Sequence, residues 1–152
     1  MQDNLARMVF REVIRPPLWV LAFIYFMFLS LVIAIWAALD NRSALISWIA
    51  ATLGIIAIAI RWRTQITVDE NELRVGRAYI ELKYLKEASA LSSEDMRRMR
   101  TRDADPAAFL ALAFWIPTGV KITLNDERDS VPYWLISVRK SEELTSTLYK
   151  LL

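Results

Sequence analysis

The chain has 152 residues, with 19 Lys and Arg against 17 Asp and Glu, and 55% of its residues are hydrophobic. It has no Cys and no His, which excludes disulfides, Cys/His zinc sites and His-based catalytic triads. From Arg61 onward, 15 basic and 14 acidic residues nearly cancel, so the strongly basic face of a nucleic-acid-binding protein is not expected. The apolar surplus lies in the first 60 residues and favours a membrane protein.

Residues 1–15 form a basic, amphipathic N-terminal segment. Arg7, Arg11 and Arg15 recur at i,i+4 spacing, which places them along one side of a helix. A Pro-Pro pair then interrupts helical geometry. Two interpretations stay open. The segment is either a short helix on the membrane surface, with its arginines toward anionic headgroups, or a frayed extension of the helix that follows.

Two long apolar runs come next, at Leu18–Leu39 and Ala44–Ile60, and neither contains a charged residue. About 20 apolar residues at a rise of 1.5 Å match a hydrocarbon core of about 30 Å. The sequence therefore predicts a transmembrane helical hairpin within residues 16–63, with spans at about 18–39 and 44–61. Because no ionisable residue lies in the middle of either span, a transporter or channel is not expected.

The positive-inside rule sets the orientation of this hairpin. Arg61 and Arg63 follow the second run and basic residues also precede the first, whereas the link between the runs has only Arg42, beside Asp40. Both termini are therefore expected in the cytoplasm, with the protein in the plasma membrane. Tryptophans at the expected interfaces agree; they are Trp19 and Trp62 on the inner side, and Trp36 and Trp48 on the outer side.

Residues 64–152 change to the two-residue period of strands and predict a cytoplasmic antiparallel β domain. The predicted strands contain Ile66 and Val68, Leu73 and Val75, Tyr79–Tyr84, Val120–Leu124 and Tyr133–Val138. Ser92, followed by Glu94 and Asp95, predicts the start of a helix that runs to about Thr101.

Two further helices are predicted in this domain. Pro106 is typical of a helix start, so a short helix is expected from Asp105 to a point before Pro117. Ser141 is the expected cap of a C-terminal helix whose apolar stripe includes Leu144 and Leu148. The predicted fold class is thus an α+β membrane protein: a helical hairpin followed by a small antiparallel β domain with short helices.

Three motifs carry a resemblance to a known family. They are ADPAAFLALAFW at 104–115, PYWLISVRK at 132–140 and LRVG at 73–76. Together they resemble an actinobacterial family of small two-span membrane proteins that carry a domain of unknown function. The resemblance covers nearly the whole chain and implies a plasma-membrane protein, but it transfers no catalytic residue.

The end of the chain is similar to bacterial pleckstrin-homology-like domains, which commonly follow paired membrane spans. Ile136-Ser137-Val138 and the final helix match the last strand and helix of such domains. The resemblance implies a small, curved, partly open barrel capped by a helix. Fold analogy of this kind supplies no function.

Two groups of residues are candidates for a functional surface. The first is basic and consists of Arg61, Arg63, Arg97, Arg98 and Arg100; it contacts anionic lipid headgroups or a partner, or is an ordinary solvated face balanced by nearby acids. The second is aromatic and consists of Trp115, Tyr133 and Trp134; it lines a ligand groove, or packs in the core or at the membrane interface. Because neighbours in a strand point to opposite faces, one of Tyr133 and Trp134 is expected to be exposed.

Asp126, Glu127 and Asp129 form an acidic cluster. Such carboxylates either bind Mg²⁺ or Ca²⁺ or serve as ordinary turn residues. The spacing fits no EF-hand, and the chain has no P-loop, dinucleotide-binding or nucleophile-elbow motif, so no catalytic residue, metal or cofactor is expected.

The leading hypothesis is a non-enzymatic, membrane-anchored interaction or accessory subunit, with a membrane-protein partner or a second copy of itself. Recognition of anionic lipid by the cytoplasmic domain is the first alternative. An enzyme acting on a membrane-embedded substrate is the second alternative, with the acidic cluster as its only candidate catalytic group.

Overall fold

The computed structural model describes residues 9–125 and 130–152. In chain order the elements are β1 (Phe10–Ile14), α1 (Leu18–Ala38), α2 (Asn41–Arg61), β2 (Thr64–Val68), β3 (Glu72–Val75), β4 (Ala78–Glu81), β5 (Leu85–Leu91), α3 (Ser93–Thr101), β6 (Phe109–Ala111), β7 (Gly119–Leu124), β8 (Tyr133–Ser137) and α4 (Ser141–Leu151). Two long apolar helices near the N-terminus are followed by mainly antiparallel sheets and a C-terminal helix. This arrangement confirms the predicted α+β class.

The chain divides into two compact units. One is the helical hairpin, residues 15–63, and the other contains β1 together with the chain from Thr64 onward. β1 pairs antiparallel with β2, from Phe10 opposite Val68 to Ile14 opposite Thr64. The hairpin is therefore an insertion between two neighbouring strands of one sheet.

Residues 10–14 are a strand, so the helix expected near the N-terminus is wrong for the part of that segment that the structure describes. Phe10, Glu12 and Ile14 share one face of β1 and are buried. Pairing with β2, together with a β-branched residue at each of the last two positions of β1, favours the strand over the weak local preference for a helix.

Glu12 is a buried carboxylate in this otherwise apolar row, with 9% of its surface exposed. Its two oxygens accept hydrogen bonds from the backbone N–H groups of Arg139 at 3.0 Å and Lys140 at 3.2 Å. Both donors immediately precede α4, where the helix dipole also favours a negative charge. Glu12 thereby joins the first strand to the start of the last helix.

The hairpin unit consists of α1 and α2, each 21 residues long and apolar enough to cross a membrane. At 1.5 Å per residue each helix is about 31 Å long. The Asp40 carboxylate accepts the backbone N–H of Ser43 at 2.8 Å and caps α2, so this helix begins earlier than expected. The two helices also share polar contacts, because the indole of Trp48 donates to the Tyr25 hydroxyl at 3.1 Å.

The remaining strands form two four-stranded sheets, with orders β1-β2-β3-β4 and β5-β7-β8-β6. One face of each sheet contributes to a shared core that α4 also enters. Its fully buried members include Ile66, Val68 and Leu73 from the first sheet, Val120, Ile122 and Ile136 from the second, and Leu144 and Leu148 from α4. The apolar stripe predicted for α4 is therefore confirmed.

The opposite face of the second sheet is covered by α3. Met96 of α3 packs with Tyr133 and Leu135 in a second buried cluster. The start of α3 is as predicted, because the Ser92 hydroxyl accepts the backbone N–H of Asp95 at 3.2 Å.

Two expected helix features are wrong. Residues 105–116 contain turns and the short strand β6, and no helix; Phe109, Ala111 and Ala113 alternate toward the interior, and β6 pairs in parallel with β8. Burial of this alternating face outweighs the helix-start signal of the Asp-Pro pair. At α4, the residue before the helix is Lys140, and Ser141 lies inside the first turn.

Candidate functional site

Strand β8, one of the two inner strands of the second sheet, has no exposed face. All five of its residues are buried, since Trp134 and Ile136 enter the shared core while Tyr133 and Leu135 pack beneath α3. A strand covered on both faces is uniformly apolar rather than alternating. The expectation that either Tyr133 or Trp134 is exposed is therefore wrong, since they are 7% and 6% exposed.

The partners of these aromatic side chains are structural. Trp134 lies against Phe109 of β6, with ring centroids 4.4 Å apart. The Tyr133 hydroxyl accepts the backbone N–H of Asp105 at 3.2 Å, and the Lys121 ammonium lies 4.6 Å from the centre of its ring. These contacts fix the edge of the second sheet and leave no aromatic ligand groove at this strand.

The Trp115 side chain also points toward the protein interior. It is half-buried and packs against the shared core, with its ring edge-on to Phe114 at 4.8 Å and 80°. The three candidate aromatic residues are thus core or core-margin side chains and do not form one exposed surface.

The candidate arginines of α3 differ sharply from one another. Arg97 is exposed, while Arg98 pairs with Glu94 one helical turn earlier at 2.6 Å. Arg100 turns toward the second sheet. Since a pair as exposed as that of Arg98 and Glu94 contributes little, Arg97 and Arg98 both lie on a solvated helix face, and Arg100 lies elsewhere.

Arg100 takes part in a partly buried polar network. Its Nη2 atom donates to the Ile116 carbonyl at 2.9 Å and to the Ser137 hydroxyl oxygen at 2.8 Å, and the Ala113 N–H donates to the same hydroxyl oxygen at 3.0 Å. Burial lowers the pKa of the Arg100 guanidinium below its usual value, because the charged form loses hydration. This network connects α3 to the end of β8, so Arg100 is a structural residue and not part of a basic surface.

Arg61 and Arg63 are exposed and belong to the hairpin unit. The structure therefore assigns the five candidate arginines to three settings: the end of the hairpin, the outer face of α3 and the partly buried network. They do not constitute a single patch on one unit.

The candidate metal ligands Asp126, Glu127 and Asp129 lie outside the described residues. Within residues 9–125 and 130–152, no three acidic side chains come together as metal ligands do.

An exposed apolar ridge that begins on β6 and continues into the segment after it was missed from the sequence. Leu110, Leu112 and Phe114 point away from the core and are 47%, 40% and 64% exposed. Strand β6 is the last strand of its sheet, so one backbone edge has no partner strand among the described residues. The two-residue alternation that places these side chains outward was visible in the sequence, but the preceding Pro favoured a helical interpretation.

The edge formed by β6 is unusual among edge strands because the segment around it carries no charge. Between Asp105 and Lys121 the chain has no charged residue. Edge strands are ordinarily protected by charge, by an internal proline or by a covering element. An apolar ridge beside an open strand edge is typical of a surface that another molecule covers.

The fold defines a class of protein: a small α+β protein in which an apolar two-helix hairpin is inserted between adjacent strands of a two-sheet unit. The chain belongs to the family described as "Protein of unknown function (DUF3093)", which matches residues 9–148. The predicted membership of a family of unknown function is thereby confirmed. Comparison with curated proteins and with solved structures gives no match.

Proposed function

We propose that this protein is a non-enzymatic, membrane-anchored interaction subunit of a plasma-membrane complex. The hairpin anchors it in the bilayer, and the two-sheet unit binds a protein partner on the cytoplasmic side. The observation that carries the proposal is the open edge of β6 with its ridge of Leu110, Leu112 and Phe114.

Insertion of the hairpin is supported by the apolar side chains on its helices. Phe23, Phe26 and Leu31 of α1 and Leu53 of α2 are each at least 60% exposed, which suits lipid and not water. The basic residues at the ends of the hairpin, Arg61 among them, favour a cytoplasmic location for those ends. The two-sheet unit, whose strand pattern is similar to pleckstrin-homology-like domains, is then cytoplasmic.

Binding at β6 combines two sources of affinity. A partner segment in extended conformation pairs with the open backbone edge, and its side chains bury the ridge. Burial of apolar area contributes about 25 cal/mol per Å² before the costs of association. Because the ridge lacks charge, the partner segment is expected to be apolar as well.

Affinity purification of the full chain in mild detergent tests the proposal. We expect a membrane protein in stoichiometric amount from the wild type, and loss of that protein from a Leu112→Lys variant. Tyr149→Lys is the matched control, since Tyr149 is an exposed aromatic on α4, away from the ridge. Recovery of a lone chain, or the same partner from both variants, would reject the β6 interface.

Anionic-lipid recognition is a second candidate function. Arg97 favours it, because it is exposed and has no ion pair with a carboxylate in the described part of the chain. If α3 binds headgroups, Arg97→Gln weakens attachment of the two-sheet unit to anionic bilayers at low salt, whereas Arg100→Gln destabilises the fold. Equal behaviour of wild type and Arg97→Gln in anionic and neutral bilayers would remove this candidate.

A further inference from the structure

Because the hairpin is inserted between β1 and β2, only one end of the first sheet is linked directly to the two apolar helices. Ile14 and Thr64 are the last pair of the β1–β2 ladder. From this end the chain leaves through residues 15–17 to α1, and it returns through residues 62 and 63 from α2. One residue of extended chain spans at most about 3.6 Å, so the link from Ile14 to Leu18 reaches at most about 14 Å and the link from Arg61 to Thr64 at most about 11 Å.

The β3–β4 turn lies at the same end of the sheet. The Gly76 N–H donates to the Gln65 carbonyl at 2.8 Å, and Val75 pairs with Ala78 across the turn. Gly76 has φ +62°, a conformation that glycine adopts without strain. Arg77 is the next residue and is exposed; it forms no ion pair with any carboxylate among the described residues.

We propose that the Arg77 turn is a contact site for anionic lipid headgroups. The inference rests on the proposed insertion of the hairpin into the bilayer. Given that insertion, the short links hold this end of the sheet near the bilayer surface. Attraction between an arginine and anionic lipid acts over about one Debye length, roughly 10 Å in 0.1 M salt.

Neighbouring residues fit the same surface. Tyr79 follows the turn and is 65% exposed, and tyrosine is favoured where membrane meets water. Arg74 is held by an ion pair with Glu72, whereas Arg77 has no ion-pair partner within residues 9–125 and 130–152.

The two turns at opposite ends of this sheet carry opposite charge. The β2–β3 turn at the far end contains Asp69 and Glu70, and the Asp69 carboxylate accepts the backbone N–H groups of Asn71 and Glu72, both at 2.8 Å. Strand geometry separates the two ends by about 15 Å. We therefore expect an anionic bilayer to attract the Arg77 end of the sheet and to repel the acidic turn at the far end.

Site-directed fluorescence in bilayers tests this orientation. Because the chain has no Cys, a single fluorophore can be placed at Gln65→Cys, on the Arg77 end, or at Asn71→Cys, on the acidic end; both positions are exposed. The full chain is reconstituted in nanodiscs that carry headgroup spin-labelled lipid as quencher. The discs contain either phosphatidylcholine alone or phosphatidylcholine with about a quarter phosphatidylglycerol. Labelling of Ser43→Cys in sealed vesicles establishes insertion independently.

We expect strong quenching at position 65 and weak quenching at position 71. The anionic lipid should raise quenching at position 65 about twofold, and either Arg77→Gln or high salt should remove that increase, while Arg97→Gln should preserve it. Equal quenching at the two positions, or no effect of the anionic lipid, with Ser43→Cys correctly labelled, would overturn the Arg77 site alone. Absence of insertion would overturn both the site and the membrane anchor.

Discussion

The two sheets of this protein differ in the face that points away from the shared core. In the first sheet that face meets solvent, and a row of paired residues across it, Arg11, Thr67, Arg74 and Tyr79, is polar or amphipathic. In the second sheet α3 covers the corresponding face, so β8 is buried throughout. The difference explains why polar and apolar residues alternate in the first sheet but not in β8. It also places the exposed apolar residues beside the second sheet at its margin, on β6 and the segment that follows it.

Leu135→Ala is expected to have the largest effect on stability. Leu135 is fully buried beneath α3, and a buried Leu→Ala change costs about 3–5 kcal/mol through lost burial and a residual cavity. Thermal unfolding of the full chain in mild detergent measures the loss. A change below about 1 kcal/mol would contradict the buried second face of this sheet.

Gly119→Ala tests close packing at the start of β7. A methyl group there would clash with the Ile136 carbonyl oxygen and lie 2.6 Å from the Met96 sulfur. Because one contact is backbone, the sheet itself must shift, and we expect a loss of about 3 kcal/mol. A normal unfolding midpoint would show that α3 is not seated on this face.

Ser137→Ala removes the hydroxyl that connects β8 to α3 and to the segment after β6. The Ala113 N–H loses its acceptor, and the Arg100 guanidinium keeps only the Ile116 carbonyl; leaving a buried donor without a partner costs about 1–3 kcal/mol. We expect the same assay to report about 2 kcal/mol, and we expect protease cleavage within α3 to become faster. Unchanged stability would mean that water replaces the hydroxyl.

Thr67→Ala is the matched change on the first sheet and should have the smallest effect. Thr67 is a central-strand hydroxyl like Ser137, but it lies on the solvent-facing side between Arg11 and Arg74. We expect a change within about 0.5 kcal/mol. A loss as large as that of Ser137→Ala would indicate that the outer face of the first sheet is covered.

Local signals in the sequence were sufficient for part of the fold. The apolar helices, the Ser92 cap and the strands around Ile66, Leu73 and Ile122 depend on neighbouring residues, and all are present. β1, β5 and β6 escaped prediction because their partners are distant in sequence: β1 pairs across the whole hairpin, β5 pairs with β7, and β6 pairs with β8. Local spacing cannot reveal such pairings.

The candidate site was predicted less well for a related reason. The sequence predicts that Arg97, Arg98 and Arg100 lie on one helix. Which of these side chains points inward depends on the position of the second sheet, and the sequence does not give that position. The burial of Tyr133 and Trp134 likewise depends on α3 covering that sheet. The alternation of side chains in 109–115 was sufficient to predict the β6 ridge. It was not predicted because the Asp-Pro pair at 105–106 favoured a helix.

Photo-crosslinking in living cells tests the central claim, that the β6 ridge is the partner-binding surface. A benzophenone amino acid is placed at Leu112 and, as a control, at the exposed residue Tyr149 of α4. We predict one discrete membrane-protein adduct from position 112 and none from position 149. Equal crosslinking at both positions, or none from the ridge while the chain is folded and inserted, would contradict the account.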